Sequence, residues 1–210
     1  MSYTIPNLFL ESFGLQVKKA YNPQTSNSRA DHPTGTYKGI EFIEDEEASK
    51  LSYLGTPVLF PITFVGGNYK RFASDGRIED IRMADFQLPV ACVVDFRRPK
   101  TIITTPVSGG YGTVKEIFAF NDWELTINGF FLPDPNQAQG LVSPYDQEIE
   151  TNNWNELVSS IAVESQIFLD RKIESITISD FNVNSLRGQP KIRPFTINAT
   201  SDEPIELVLS

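Results

Sequence analysis

The segment Trp123-Glu124-Leu125-Thr126-Ile127-Asn128-Gly129-Phe130-Phe131 alternates between two kinds of side chain, and that period of two constrains the chain more than any other feature. Residues two apart on an extended strand point the same way. Leu125, Ile127, Gly129 and Phe131 therefore share one face, and Glu124, Thr126 and Asn128 the other. A strand buried on one face needs neighbours. Phe195, Ile197 and Ala199 alternate in the same manner with Thr196, Asn198 and Thr200. Runs rich in β-branched and aromatic residues at 58–65, 86–96, 101–105, 113–120, 173–181 and 205–209 read as further strands. Pro61 and Pro89 interrupt two of them, as expected at sheet edges or bulges. Asn121-Asp122 separates 113–120 from 123–131, which predicts a hairpin between these two strands.

One helix is expected, near 146–160. Ile149, Trp154, Leu157, Val158 and Ile161 recur at helical spacing. Ser143-Pro144 suits its start, and Asp146, Glu148 and Glu150 sit where the helix dipole favours acids. Many strands and one helix predict a mainly β fold, sandwich or barrel-like, with the helix packed on it. Residues 1–34 read as an extended N-terminal arm and linker, since Asn22-Pro23-Gln24-Thr25-Ser26-Asn27-Ser28 is polar and turn-rich. Residues 35–210 read as a single β-rich domain.

Composition narrows the chemistry. The 210 residues include 18 basic and 27 acidic ones, a net charge of −9, with one His and one Cys. An acidic chain is a poor nucleic-acid binder, because neutralising phosphates takes clustered Lys and Arg. One His excludes paired-His metal sites, and one Cys excludes an internal disulfide. Cys92, within Val90-Ala91-Cys92-Val93-Val94, reads as a small buried hydrophobe. No apolar run is long enough for a membrane-spanning helix, and the N-terminal residues do not read as a signal peptide. The expectation is a soluble protein made in a reducing cytoplasm.

The local motifs favour structural roles. Gly109-Gly110-Tyr111-Gly112-Thr113 is followed by a strand, whereas a phosphate loop needs a helix N-terminus there. It reads as a hinge or hairpin loop. Glu41, Glu44, Asp45, Glu46 and Glu47 lack the spacing of a calcium loop and read as a solvated charged segment. Asp134-Pro135-Asn136 is explained as a turn. His32 has no Ser or Cys nucleophile motif beside it. Glu116 and Glu124 are positioned to face each other across the predicted hairpin, an arrangement that an acid-pair hydrolase would need. Arg97, Arg98 and Lys100 form the densest basic spot, too small for a nucleic-acid groove and suited to acids of a neighbouring subunit. No catalytic residue, metal ligand or cofactor site is assigned.

Gly112-Thr113-Val114-Lys115-Glu116-Ile117, followed by Asp122-Trp123-Glu124-Leu125-Thr126-Ile127-Asn128-Gly129 and the closing Ser201-Asp202-Glu203-Pro204-Ile205-Glu206-Leu207, carries a resemblance. Lys100-Thr101-Ile102-Ile103-Thr104-Thr105 and Pro144-Tyr145 add to it. Together they resemble a family of uncharacterised proteins from phages and prophages of Bacteroidetes, whose genes sit among tail and baseplate genes. The similarity spans roughly residues 50–210, and its motifs are structural rather than catalytic.

The resemblance implies a virion structural protein, assembled in the bacterial cytoplasm into rings around the tail axis. Its partners would be further copies of itself and neighbouring tail or baseplate proteins. Gly109, Gly110, Tyr111, Gly112, Lys115, Glu116, Arg97, Arg98 and Lys100 are the candidate interface residues. An acidic lumen would let DNA pass without sticking. A tail tube subunit and a component of a phage-like contractile injection system remain alternatives within this class. A carbohydrate- or receptor-binding module using Trp123, Trp154, Tyr111 and Tyr145 is a different one, although both tryptophans read better as core.

Overall fold

The computed structural model describes residues 4–21, 39–89, 92–106, 108, 113–133, 140–185 and 191–202. The N-terminal part holds α1 (Ile5–Phe13), β1 (Lys19–Tyr21), β2 (Glu41–Ile43), α2 (Asp45–Tyr53), β3 (Val58–Leu59) and β4 (Thr63–Phe64). β5 (Gly67–Phe72), β6 (Ile78–Met83), β7 (Phe86–Gln87), β8 (Val93–Arg97), β9 (Lys100–Pro106) and β10 (Thr113–Phe120) follow. The remainder is β11 (Glu124–Phe131), α3 (Pro144–Asn155), β12 (Ile161–Glu164), α4 (Gln166–Leu169), β13 (Ser175–Val183) and β14 (Arg193–Ser201).

The fold is mainly β. Its centre is a seven-stranded antiparallel sheet in the order β7-β4-β12-β13-β14-β11-β8. A small parallel sheet, β2-β1-β3, and two separate ribbons, β5–β6 and β9–β10, complete it. Four helices are present among the described residues, where the sequence predicted one.

The two alternating segments are the paired central strands. Ile127 lies opposite Ile197 and Leu125 opposite Ala199, all buried. The alternation stops at the end of β11 because both faces are covered there. Ile127 and Phe131 enter the main core, whereas Phe130 and Leu132 enter a second core under α1. Phe131 stacks on Phe195 at 4.5 Å, and Phe130 meets Phe9 edge-on at 4.9 Å. Gly129 lies directly opposite Phe195. A Cβ there would fall 2.6 Å from the Phe195 ring and 2.9 Å from Cys92 Sγ, so only glycine lets the strands approach this closely. Cys92 is fully buried, and burial pushes its thiol pKa well above the usual range.

Three expectations require correction. Residues 5–13 are not part of an extended arm: α1 buries Ile5, Leu8 and Phe9. Pro6 is accommodated in its first turn, and Gly14 ends it with a left-handed φ of 70°. Second, β10 does not pair with β11. It pairs with β9, while β11 lies between β8 and β14. Asn121 closes the foot of the ribbon: its amide donates to Pro99 O at 3.0 Å, and its Oδ1 accepts from Thr101 Oγ1 at 2.8 Å. Third, the helix near 146–160 ends at Asn155 and turns a different face inward.

That inward face is Gln147, Thr151 and Trp154, spaced i, i+4, i+7, while Ile149 is exposed. Trp154 is fully buried among Phe64 and Tyr69, both at 5.3 Å, and Phe86. Gln147 is buried because it replaces missing backbone partners. Its Nε2 donates to Leu132 O at 2.8 Å and Leu141 O at 2.9 Å, and its Oε1 accepts from the Leu132 amide at 3.3 Å. Hydrogen-bond capacity, not hydropathy, selected the buried face.

Candidate assembly interface

β9 and β10 pair only with each other, and every residue of β9 is exposed. The register runs Lys100↔Phe120, Ile102↔Ile117, Thr104↔Lys115 and Thr105↔Val114, with a bulge between Ile117 and Ala119. Directly opposed residues share a face. Lys100, Ile102, Lys115 and Phe120 therefore lie on one side, and Ile103, Val114 and Glu116 on the other. Ile102, Ile103, Val114 and Phe120 are each about half exposed or more. Such a ribbon is rich in β-branched residues and carries apolar side chains on both faces. A two-stranded ribbon of this kind is marginally stable alone in water and gains by being covered.

The predicted basic spot stands at the foot of the ribbon. Arg97 Nη1 donates to Glu124 Oε2 at 2.9 Å, so its acid is within the same chain. Glu124 thus faces Arg97 across β8 and β11, while Glu116 faces Ile103, and the two acids are not paired. Arg98 lies over both Phe120 and Trp123 at 5.2 Å, and Lys100 Nζ lies 4.7 Å from the Phe120 ring. Phe120 is exposed and Trp123 half-buried, so the attraction is modest and the charge stays accessible. Lys115 and Glu116 are exposed in mid-ribbon. Gly109, Gly110, Tyr111 and Gly112 lie outside the described residues, as do His32, 134–136 and 205–209.

A concavity of about 1100 Å³ opens beside β8. The end of α2 (Lys50, Tyr53, Leu54), Phe96, Trp123 and the residues after α4 line it. Arg171 covers the Phe96 ring at 4.0 Å and donates to Ile167 O at 3.1 Å. Burial lowers the Arg171 pKa, and Asp170 opposes this. Asp170 is held by Ser49 at 2.7 Å and Gln166 at 2.9 Å. Lys172 takes a left-handed φ of 57°, because it closes α4 with its amide on Leu169 O and the next amide on Phe168 O. Sequence reasoning missed this groove, since its walls come from three distant segments.

The acidic segment at 41–47 runs from β2 into the start of α2, and Glu47 pairs with Lys19 at 2.5 Å. Among the described residues no cluster of three or more His, Cys, Asp or Glu is placed to hold a metal ion.

A family model described as a domain of unknown function, DUF6046, matches residues 87–210. The chain belongs to that family. No curated protein matches it. The DUF6046 region contains five adjacent strands of the large sheet, β12-β13-β14-β11-β8, together with α3, α4 and the whole β9–β10 ribbon. α1, α2 and the β5–β6 ribbon lie outside it, and so does the α2 wall of the groove.

Proposed function

We propose that the chain is a structural subunit of a bacteriophage tail or baseplate, a hub or adaptor ring component that works by self-assembly and by contact with neighbouring tail proteins. The observation that carries this reading is the β9–β10 ribbon. It projects apolar and basic side chains from a chain that is otherwise acidic, and it lies entirely inside the family region. Binding surface of this kind gains free energy by excluding water from Ile102, Ile103, Val114 and Phe120, with charge pairs setting register. The excess of acids suits a surface past which DNA slides without adhering. No catalytic role, cofactor or membrane contact is part of the proposal, and no helix is long and apolar enough to cross a membrane among the described residues.

The test is mass spectrometry and electron microscopy of purified phage particles encoding this chain. The expected result is the protein in stoichiometric amounts at the tail or baseplate. Its absence from the particle overturns the reading. A tail tube subunit or an injection-system component would differ in copy number and position in the same images.

The groove favours a second reading, a carbohydrate- or receptor-binding module. Its Trp123 and exposed Tyr53 are the aromatic surfaces available, since Trp154 is buried and Arg171 covers Phe96. Glycan-array binding that is lost on Trp123→Ala would support it over the structural role.

A further inference from the structure

The segment 97–120 holds four basic residues and one acidic, a local charge of +3, so the rest of this −9 chain carries −12. Such a segment repels its own kind and is attracted to the remainder of a second copy. The basic side of the ribbon presents Lys100, Ile102, Lys115 and Phe120 together. A complementary surface must be acidic and apolar, and must lie on an element whose outer face is unoccupied.

The outward face of α3 meets these conditions. Tyr145 and Ile149 are one helical turn apart and are 64% and 42% exposed. Asp146 and Glu150, also a turn apart, flank them, and Val142 just before the helix is 46% exposed. Glu148 is engaged by Arg193, but the charges of Asp146 and Glu150 meet no cation among the described residues. The inward face of α3 is fully used by Gln147, Thr151 and Trp154, so the helix is held rigidly while offering the opposite face.

The groove beside β8 is the competing acceptor, and its charge argues against it. Lys50, Arg171 and Lys172 outnumber Asp95 and Asp170 along it, and this net positive lining is no match for a basic ribbon. Pairing of two ribbons through their basic sides would likewise bring Lys100 and Lys115 of both copies together.

We infer that the β9–β10 ribbon of one copy docks on the outward face of α3 of a second copy, with Lys100 and Lys115 meeting Asp146 and Glu150, and Ile102 and Phe120 covering Tyr145 and Ile149. This rests on the reading of the chain as a self-assembling subunit and names its partner surface. The two patches differ, so the contact is head-to-tail. It closes into a ring or extends into a filament according to the rotation between copies.

Sedimentation over a range of concentrations measures self-association of the full chain. Lys100→Glu with Lys115→Glu, and separately Asp146→Lys with Glu150→Lys, should each weaken association about tenfold or more, and mixing the two variants should restore it. A second measurement covers the case of a variant that misfolds. Ile102→Cys protein mixed with Ile149→Cys protein should form an intermolecular disulfide under mild oxidation, with little background from the buried Cys92. A chain that stays monomeric throughout overturns the inference, as does association indifferent to both charge reversals. Disulfides within the Ile102→Cys protein alone, without mixing, overturn it in favour of ribbon-to-ribbon pairing. Presence in phage particles is read separately, so a chain that assembles through α3 yet is missing from virions would sink the tail assignment and leave this contact standing.

Discussion

Trp123 and Ser201 hold each other by two hydrogen bonds: the Ser201 amide donates to Trp123 O at 2.8 Å, and the Trp123 amide donates to Ser201 Oγ at 2.9 Å. The next residue extends the clasp. Asp202 exchanges backbone and side-chain bonds with Ser175 and accepts from Ser160 Oγ. Residues separated by 78 positions thus fasten one end of β11, β13 and β14 together. Two segments conspicuous in the sequence, Asp122-Trp123-Glu124 and Ser201-Asp202, are two halves of one fastening. Ser201→Ala removes the acceptor from a half-buried amide and should cost about 1–2 kcal/mol, measured by denaturant unfolding. A loss below a few tenths would show that water replaces the hydroxyl at no cost.

Gly129→Ala should destabilise the chain by about 1–3 kcal/mol, because the new methyl meets the Phe195 ring and Cys92 Sγ at the junction of two close-packed strands. The double variant Gly129→Ala, Cys92→Ala should recover part of the loss, since one obstructing atom is gone. Thermal unfolding of the single and double variants reads both effects. Identical midpoints for the two would show that the Phe195 ring alone sets the clash.

Gln147→Leu keeps the volume but abandons three hydrogen bonds, leaving Leu132 N–H, Leu132 O and Leu141 O without their partner in the interior. The expected cost is about 2–4 kcal/mol, larger than that of Ile149→Gln on the exposed side of the same helix, which should be within about 0.5 kcal/mol. Equal costs for the two would reverse the assignment of the inward face.

Lys172→Gly should raise stability by about 0.5 kcal/mol, because glycine accepts a φ of 57° without the strain a side chain suffers there, and its greater freedom in the unfolded chain offsets only part of this. In a chain of this size that corresponds to a rise in Tm of roughly 1–2 °C. A fall in Tm would mean that the lysine side chain contributes contacts along the groove that outweigh the strain.

The mainly β fold and the central strands were legible because a period of two survives wherever one face is buried and the other is not; of the two tryptophans expected in the core, Trp154 is fully buried and Trp123 only partly. Strand partners were less legible. Asn121-Asp122 resembles a turn, yet its Asn is used to close the β9–β10 ribbon, and nothing local distinguishes the two uses. The face of α3 was misread because hydropathy ranks Ile149 above Gln147, whereas the chain needed an amide to satisfy Leu132 and Leu141. α1 carried its signals, Pro6 at the start, Ile5, Leu8 and Phe9 on one side and Gly14 at the end, within a span too short to establish a period. Of the candidate interface, Lys100 and Lys115 do lie on one exposed ribbon with Arg98 at its foot, but that the two lysines share a side with Ile102 and Phe120 follows from a register only the fold defines.

β11 divides two cores, and this sets an order in time. α1 rests on Val93, Phe130, Leu132 and Ile192, all of which are synthesised long after it. At roughly 5–20 residues per second, about ten to forty seconds pass between the appearance of Phe9 and that of Ile192. Throughout that interval the apolar side of α1 has only nearer neighbours, such as Val17, Ala20 and Leu59, to rest against. Its seat is complete only once Ile192 is made, so a helix from one end of the sequence closes a core whose other wall is supplied from far along it.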